Sequence, residues 1–122
     1  VKEPSFEQFV DDAFDQIYHF GRRDHVIVRT LIGVLTEITA SVGDVERLRT
    51  LAREVKEMEL FALRKHDGET AFGTAEQRNY VRKSLVAFYR AAATRADAIC
   101  ESELSAEYRA LQTGYSGAIE QD

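Results

Sequence analysis

This chain lacks several features that would restrict its fold or its location. It has a single cysteine, Cys100, among 122 residues, which excludes an internal disulfide bond and fits a reducing compartment. No uninterrupted apolar run approaches the roughly 20 residues that a membrane-spanning helix needs. The N-terminal residues show no signal-peptide pattern. With 44% hydrophobic and 30% charged residues, the composition indicates one soluble globular domain over residues 1–122.

Positive charge and catalytic motifs are also scarce. The formal net charge of −5 argues against nucleic acid as a partner, because phosphate binding needs a clustered positive field. Neither a nucleophile-elbow nor a phosphate-loop motif is present, so we predict a non-enzyme without a cofactor. Cys100 lies beside Asp97 and Glu101, and acidic neighbours disfavour a reactive thiolate. We therefore expect Cys100 to be a small buried residue inside a helix.

A metal site is the next chemistry to consider. Asp15 and His19 are four residues apart and would share one face of a helix. The carboxylate-bridged di-iron pattern requires a glutamate three residues before a histidine. Gln16, Arg22 and Leu63 occupy those positions before the three histidines. The sequence therefore predicts no metal ligands.

Apolar residues recur at helical spacing along the chain, which predicts an all-α fold. We expect an antiparallel bundle of four main helices joined by short turns. These helices are predicted at Ser5–Gly21, Asp24–Val42, Asp44–His66 and Thr74–Glu101. Asp44 should cap the third helix, and Thr74 with Gln77 has the spacing of a capping box at the fourth. We predict a linker at residues 1–4 and a frayed tail at residues 113–122. A short fifth helix at Ser105–Gln112 is a possibility that the sequence does not decide.

The second predicted helix is the most apolar of the four. Its many Val, Ile and Thr residues favour a strand, but its length favours a helix. We place it at the centre of the bundle. Its small and polar residues form one stripe: Arg29, Gly33, Thr36, Glu37 and Ala40. The third predicted helix has an outer face of mixed charge, which we interpret as a solvated surface.

The first predicted helix carries more aromatic side chains than one narrow stripe can hold. They are Phe6, Phe9, Phe14, Tyr18 and Phe20. Either the bundle covers this helix on two sides, or one side meets a partner. We predict an interaction surface formed by Phe14, Tyr18, Arg22 and Arg23, with a second copy of the chain or its own upstream part as the partner. The preferred function is a non-catalytic interaction or regulatory domain.

The alternative function is a stand-alone helical bundle that binds a small molecule. Its pocket would lie between the first, second and fourth predicted helices. Arg29 and Glu37 would orient the ligand there, because polar groups within an apolar helix often do so. A buried or half-buried ion pair between these two residues is the other interpretation.

The stretch Phe9–Asp24, with the sequence FVDDAFDQIYHFGRRD, resembles a helix–turn of a known family. The following residues Arg29–Ile32 and Leu35 are similar as well. The family comprises bacterial predicted membrane proteins of unknown function (domain of unknown function 2254), and the similar part is their C-terminal soluble region. The resemblance implies a cytoplasmic domain tethered to the inner membrane through upstream sequence, and it transfers no catalytic residue. Because the chain starts at Val1 instead of methionine, we expect either a piece of a longer protein or a processed one, and proteolytic trimming or a cleaved tag explains this start equally well.

Overall fold

A computed structural model describes residues 25–63 and 74–119 of the chain. All regular structure in these residues is α-helical. The helices are α1 (His25–Thr39), α2 (Val45–Leu63), α3 (Ala75–Ala98) and α4 (Ser102–Gly117). This arrangement confirms the predicted all-α bundle. The first predicted helix, with Phe14 and Tyr18, and the turn with Arg22 and Arg23 lie outside the described residues.

Side-chain hydrogen bonds mark where the helices begin and end. The amide of Glu46 donates to Oδ1 of Asp44 at 3.1 Å, so Asp44 caps α2 as predicted. Thr74 and Gln77 form the predicted capping box, with both reciprocal bonds present. The end of α1 differs from the prediction: the helix stops at Thr39, before Val42.

Helix α3 ends in a turn that the sequence analysis placed inside a helix. Cys100 has a φ of 63°, in the left-handed region. The amide of Glu101 donates to the carbonyl of Ala96 at 2.8 Å. The amide of Cys100 donates to the carbonyl of Asp97 at 3.1 Å. These two bonds are those of a Schellman motif, which closes a helix C-terminus. The prediction of a buried, intrahelical Cys100 is therefore wrong, and its side chain is exposed.

The short fifth helix left open by the sequence is α4, and it is longer than Ser105–Gln112. It has 16 residues and continues to Gly117, well into the segment 113–122 predicted as a frayed tail. Its inner face explains the extension, because Tyr115 near its end stacks on Tyr89 of α3. That aromatic contact gives the last turn of α4 a packing partner.

The centre of the described bundle is α3. It is the one helix that contacts each of the other three described helices. The most apolar helix, α1, was expected at the centre of the bundle; among the described helices it packs on α2 and α3, and any packing on the first predicted helix lies outside the described residues. Small side chains explain the position of α3, since its Ala92, Ala93 and Ala96 are fully buried and allow close helix packing. The core also takes large side chains from all four described helices: Val28, Ile32, Leu35, Leu48, Leu51, Val55, Met58, Val81, Leu85, Phe88, Tyr89, Leu104 and Tyr108.

Helices α2 and α4 both pack on α3, but their backbones stay apart, with no Cα atom of one helix within 8 Å of a Cα atom of the other. Residues 40–44 join α1 to α2 and residues 99–101 join α3 to α4, so each of these pairs has a short connection. The separation of α2 from α4 leaves a depression over α3.

Candidate functional site

This depression, which we call the α2–α4 groove, is the main candidate site in the described part of the chain. Its volume is about 590 Å³. The wall from α2 and the wall from α4 are joined by one floor residue of α3. The lining residues are Glu46, Arg49, Ala52, Arg53, Lys56, Tyr89, Leu104, Glu107, Tyr108 and Leu111.

Both walls of the groove follow one helical spacing. In α2 the lining positions 49, 52, 53 and 56 recur at i, i+3, i+4 and i+7, and in α4 the positions 104, 107, 108 and 111 do the same. Residues at this spacing share one helix face. Each wall is therefore a continuous face about 10 Å long, given a rise of about 1.5 Å per residue.

Three tyrosines form the aromatic base of the groove region. Tyr89 of α3 is 2% exposed, and its ring is stacked on that of Tyr115, with centroids 5.7 Å apart and planes 7° apart. The ring of Tyr108 lies 5.9 Å from Tyr89 at a tilt of 41°. Phe88 packs edge-on against Tyr89 from within the core. These contacts hold Tyr89 rigidly under the groove, since aromatic pairs prefer such geometries.

The hydroxyl groups of Tyr89 and Tyr108 are neutral at physiological pH. Burial raises the pKa of Tyr108 to about 12, with a further contribution from the negative charge of Glu107. Burial raises the pKa of Tyr89 well above its ordinary value, and electrostatic repulsion from Tyr115 and Glu59 raises it further. Both phenols therefore keep their protons, so that they can donate hydrogen bonds to a ligand.

Positive charge is concentrated on the α2 wall. Among the lining residues, Arg49, Arg53 and Lys56 stand against the carboxylates Glu46 and Glu107, which leaves one net positive charge. Glu59, beside Lys56 but outside the lining, offsets that charge. Arg49 pairs with Glu46 at 3.3 Å, in a pair whose side chains are both more than half exposed. Exposed pairs of this kind contribute little to stability.

The other two cations of the wall differ in how they are compensated. Lys56 Nζ lies 3.9 Å from Oε2 of Glu59, an oxygen that is buried and accepts no hydrogen bond from the described residues. Arg53 donates to the hydroxyl of Thr50 at 3.2 Å, which is a neutral acceptor. Arg53 is thus the lining cation whose charge has no carboxylate partner among the described residues.

A second, shallower cleft lies beside the end of α1. Its volume is about 360 Å³, and small side chains dominate its lining: Ala40, Ala87, Arg90, Ala91, Thr94, Arg95 and Ala98. The Nε of Arg95 donates to the carbonyl of Val42, so this side chain ties α3 to the connection between α1 and α2. Arg95 therefore has a structural role in the cleft.

The two polar residues predicted to orient a ligand lie on α1, apart from both clefts. The guanidinium carbon of Arg29 is 4.8 Å from the centroid of the Tyr80 ring, which makes a cation–π contact. Glu37 is exposed. Eight positions separate the two residues, which amounts to about 12 Å along a helix and is too far for a direct ion pair. Neither residue lines the α2–α4 groove.

The groove was not predicted from the sequence, because the mixed charges of its α2 wall are typical of an ordinary solvated helix face. Glu46, Arg49, Arg53 and Lys56 belong to the mixed-charge face of the third predicted helix. A usable signal was the spacing of Leu104, Tyr108 and Leu111, which gives α4 an apolar face of its own. That face shows that α4 packs on the bundle, but which helix it leaves uncovered depends on the tertiary structure.

None of the helices within residues 25–63 and 74–119 has the length and apolar character required to cross a membrane. In the same residues, no three His, Cys, Asp or Glu side chains come together in a way that could hold a metal ion. No protein-family model, curated protein or solved structure significantly matches this chain. The resemblance to the bacterial predicted membrane proteins therefore stays a prediction.

Proposed function

We propose that this chain is a non-catalytic binding domain, a helical bundle that holds a small amphiphilic molecule in the α2–α4 groove. The class of function is the second of the two expected from the sequence, but the pocket differs from the one expected between the first, second and fourth predicted helices, part of which lies outside the described residues. The observation that carries it is a depression of about 590 Å³ between two helices whose backbones stay apart, above a buried tyrosine. Ligand pockets are typically of about 300–1,000 Å³ and combine an apolar lining with a few polar groups.

The protonation of the lining groups supports binding over catalysis. A general acid or base works best when its pKa lies near the working pH. Tyr89 and Tyr108 show the opposite, because burial moves the pKa of each phenol further from neutrality. Their neutral hydroxyls suit ligand recognition.

The interaction or regulatory function on the cytoplasmic side of a bacterial membrane protein stays a prediction. It rests on the resemblance and on the surface with Phe14, Tyr18, Arg22 and Arg23, which lies outside the described residues. Fractionating the native parent protein between membrane and soluble extracts would test it separately.

The binding function can be tested with the neutral fluorescent probe N-phenyl-1-naphthylamine. We expect saturable binding with a blue-shifted emission and a stoichiometry of one probe per chain. Ala52 lines the groove, so Ala52→Phe should fill it and weaken binding about tenfold or more, a loss of about 1.4 kcal/mol. Ala110→Phe is the matched control, because Ala110 is exposed on α4 and does not line the groove.

Two results would overturn this function. One is the absence of saturable binding to the unmodified chain. The other is equal affinity in the Ala52→Phe and Ala110→Phe variants when both show native circular dichroism and cooperative unfolding. Equal affinity would mean that the probe binds elsewhere.

A further inference from the structure

We infer that the ligand of the α2–α4 groove is a monoanionic amphiphile: an apolar ring or chain that carries one carboxylate, sulfonate or phosphodiester group. This inference rests on the proposed binding function and specifies the chemical class of the ligand. The anionic group would lie on the α2 wall against Arg53 and Arg49, and the apolar body would lie over Tyr89 against the α4 wall.

The two walls of the groove differ in chemistry, which sets the orientation of the ligand. The α2 wall has three cations, whereas the α4 wall has Leu104, Tyr108 and Leu111 with one carboxylate, Glu107. A molecule that spans the groove therefore meets positive charge on one side and apolar surface on the other. An amphiphile with one charged end matches both walls at once.

Arg53 is the natural anchor for the anionic group. In the described structure its guanidinium donates to Thr50, and that neutral hydroxyl leaves the charge uncompensated. Arg49, one turn away on the same face, is held only by an exposed pair with Glu46. Such a pair is weak in water, so Arg49 can turn to a ligand at small cost. The planar fork of arginine fits the oxygens of a carboxylate, sulfonate or phosphodiester group.

The limit to a single negative charge follows from the carboxylates around the groove. Glu107 faces the cations from the α4 wall, and Glu46 lies at the end of the α2 wall. The lining has only one net positive charge, so a second anionic group would lie near a carboxylate without a further cation to offset it. Polyphosphates and dicarboxylates are disfavoured for this reason.

The room for the apolar body comes from a small residue placed among the cations. Ala52 lies between Arg49 and Arg53 in sequence and lines the same face. Its short side chain adds little bulk to the α2 wall near Tyr89, which lines the groove with the small part of its surface that is exposed. A ring placed there can pack on the tyrosine, whose own stacking on Tyr115 keeps it in position.

A matched pair of probes tests the charge preference directly. Anilinonaphthalene sulfonate and N-phenyl-1-naphthylamine share one aromatic skeleton and differ by a sulfonate group. We expect the unmodified chain to bind the anionic probe about tenfold more tightly at low salt, and to lose most of that advantage at high salt. The double variant Arg49→Gln/Arg53→Gln should lose the same advantage while it binds the neutral probe unchanged.

Arg90→Gln serves as the control, because it removes one positive charge from α3 outside the groove. It should keep the preference for the anionic probe. If the chain binds the neutral probe but has no preference for the anion, this inference fails and the proposed function stands. If neither probe binds, the proposed function fails. If Arg90→Gln loses the preference while the double variant keeps it, the anion is recognised outside the groove and the inference fails.

Discussion

The guanidinium of Arg109 in α4 donates a hydrogen bond to Oδ2 of Asp97, next to the last residue of α3. The carboxylate of Asp97 also takes part in a hydrogen bond with Ser105, which is buried. The bond with Ser105, followed by that with Arg109, holds the pKa of Asp97 below its ordinary value of 3.8. Asp97 therefore links α3 to α4 across the turn at Cys100, and it does so as an anion.

This link predicts a pH-dependent part of the stability. A carboxyl group whose pKa is lowered by folding stabilises the fold above its unfolded pKa, and this stabilisation is lost as the pH falls through the folded pKa. We expect Asp97→Asn to be less stable than the unmodified chain at about pH 7. The difference should shrink as the pH falls below about 4, where Asp97 becomes protonated in the unfolded chain, and should be lost once the pH is below the lowered pKa of the folded state. Urea denaturation at several pH values measures this difference.

Glu57→Gln is the control for the Asp97 prediction. Glu57 is an exposed carboxylate on α2, so its substitution makes the same charge change away from the α3–α4 turn. If Asp97→Asn and Glu57→Gln change the pH profile of the unfolding free energy equally, the link from Asp97 to α4 has no specific effect.

A second prediction concerns the left-handed residue in the α3–α4 turn. Cys100 has a φ of 63°, a conformation that costs an L-residue about 1–2 kcal/mol and costs glycine little. Cys100→Gly should raise the free energy of unfolding by about 0.5–1 kcal/mol, after the larger chain entropy of unfolded glycine is subtracted. Cys100→Ala is the control, because it removes the thiol and keeps the Cβ. An equal gain in both variants would mean that the thiol, and not the backbone, is responsible.

The same turn shows why the helix boundaries were only partly predictable. The start of α3 has a local signal, because Thr74 and Gln77 satisfy each other's backbone amides within three residues. The end of α3 has none, since the usual marker of a Schellman motif is glycine and here the position is Cys100. The apolar period of α3 also continues into Leu104 and Tyr108, which hides the break.

The groove was less predictable than the core for a different reason. Core positions such as Leu48, Leu51 and Val55 follow from the apolar period of a single helix, and all three are fully buried. The groove exists because the backbones of two helices on α3 stay apart, which no single helix encodes. The charge of Arg53 is visible in the sequence, but its place opposite an apolar wall depends on that separation.

A third prediction concerns the contact between α3 and the connection after α1. Arg95 donates to the carbonyl of Val42, a residue that is 6% exposed. Arg95→Ala removes this donor and the packing of the long side chain, so we expect a loss of about 1–3 kcal/mol in the free energy of unfolding. Arg90→Ala on the exposed side of α3 should change stability by less than about 0.5 kcal/mol. Thermal and urea denaturation measure the unfolding free energy of both variants. If Arg95→Ala and Arg90→Ala lose equal stability, the Val42 contact does not stabilise the fold.

The capping box at the start of α3 leads to the last prediction. The hydroxyl of Thr74 accepts from the amide of Gln77 at 3.1 Å, and the side chain of Gln77 accepts from the amide of Thr74 at 3.0 Å. Thr74→Ala should therefore destabilise the fold by about 1 kcal/mol, while Thr74→Ser should retain most of the stability because it keeps the hydroxyl. Thr94→Ala is the matched control, since Thr94 is exposed within α3 and alanine is the better helix former there. Urea denaturation should rank Thr74→Ala below Thr74→Ser, with Thr94→Ala at or above the unmodified chain. If Thr74→Ala unfolds at the same urea concentration as Thr94→Ala, the capping box does not stabilise α3.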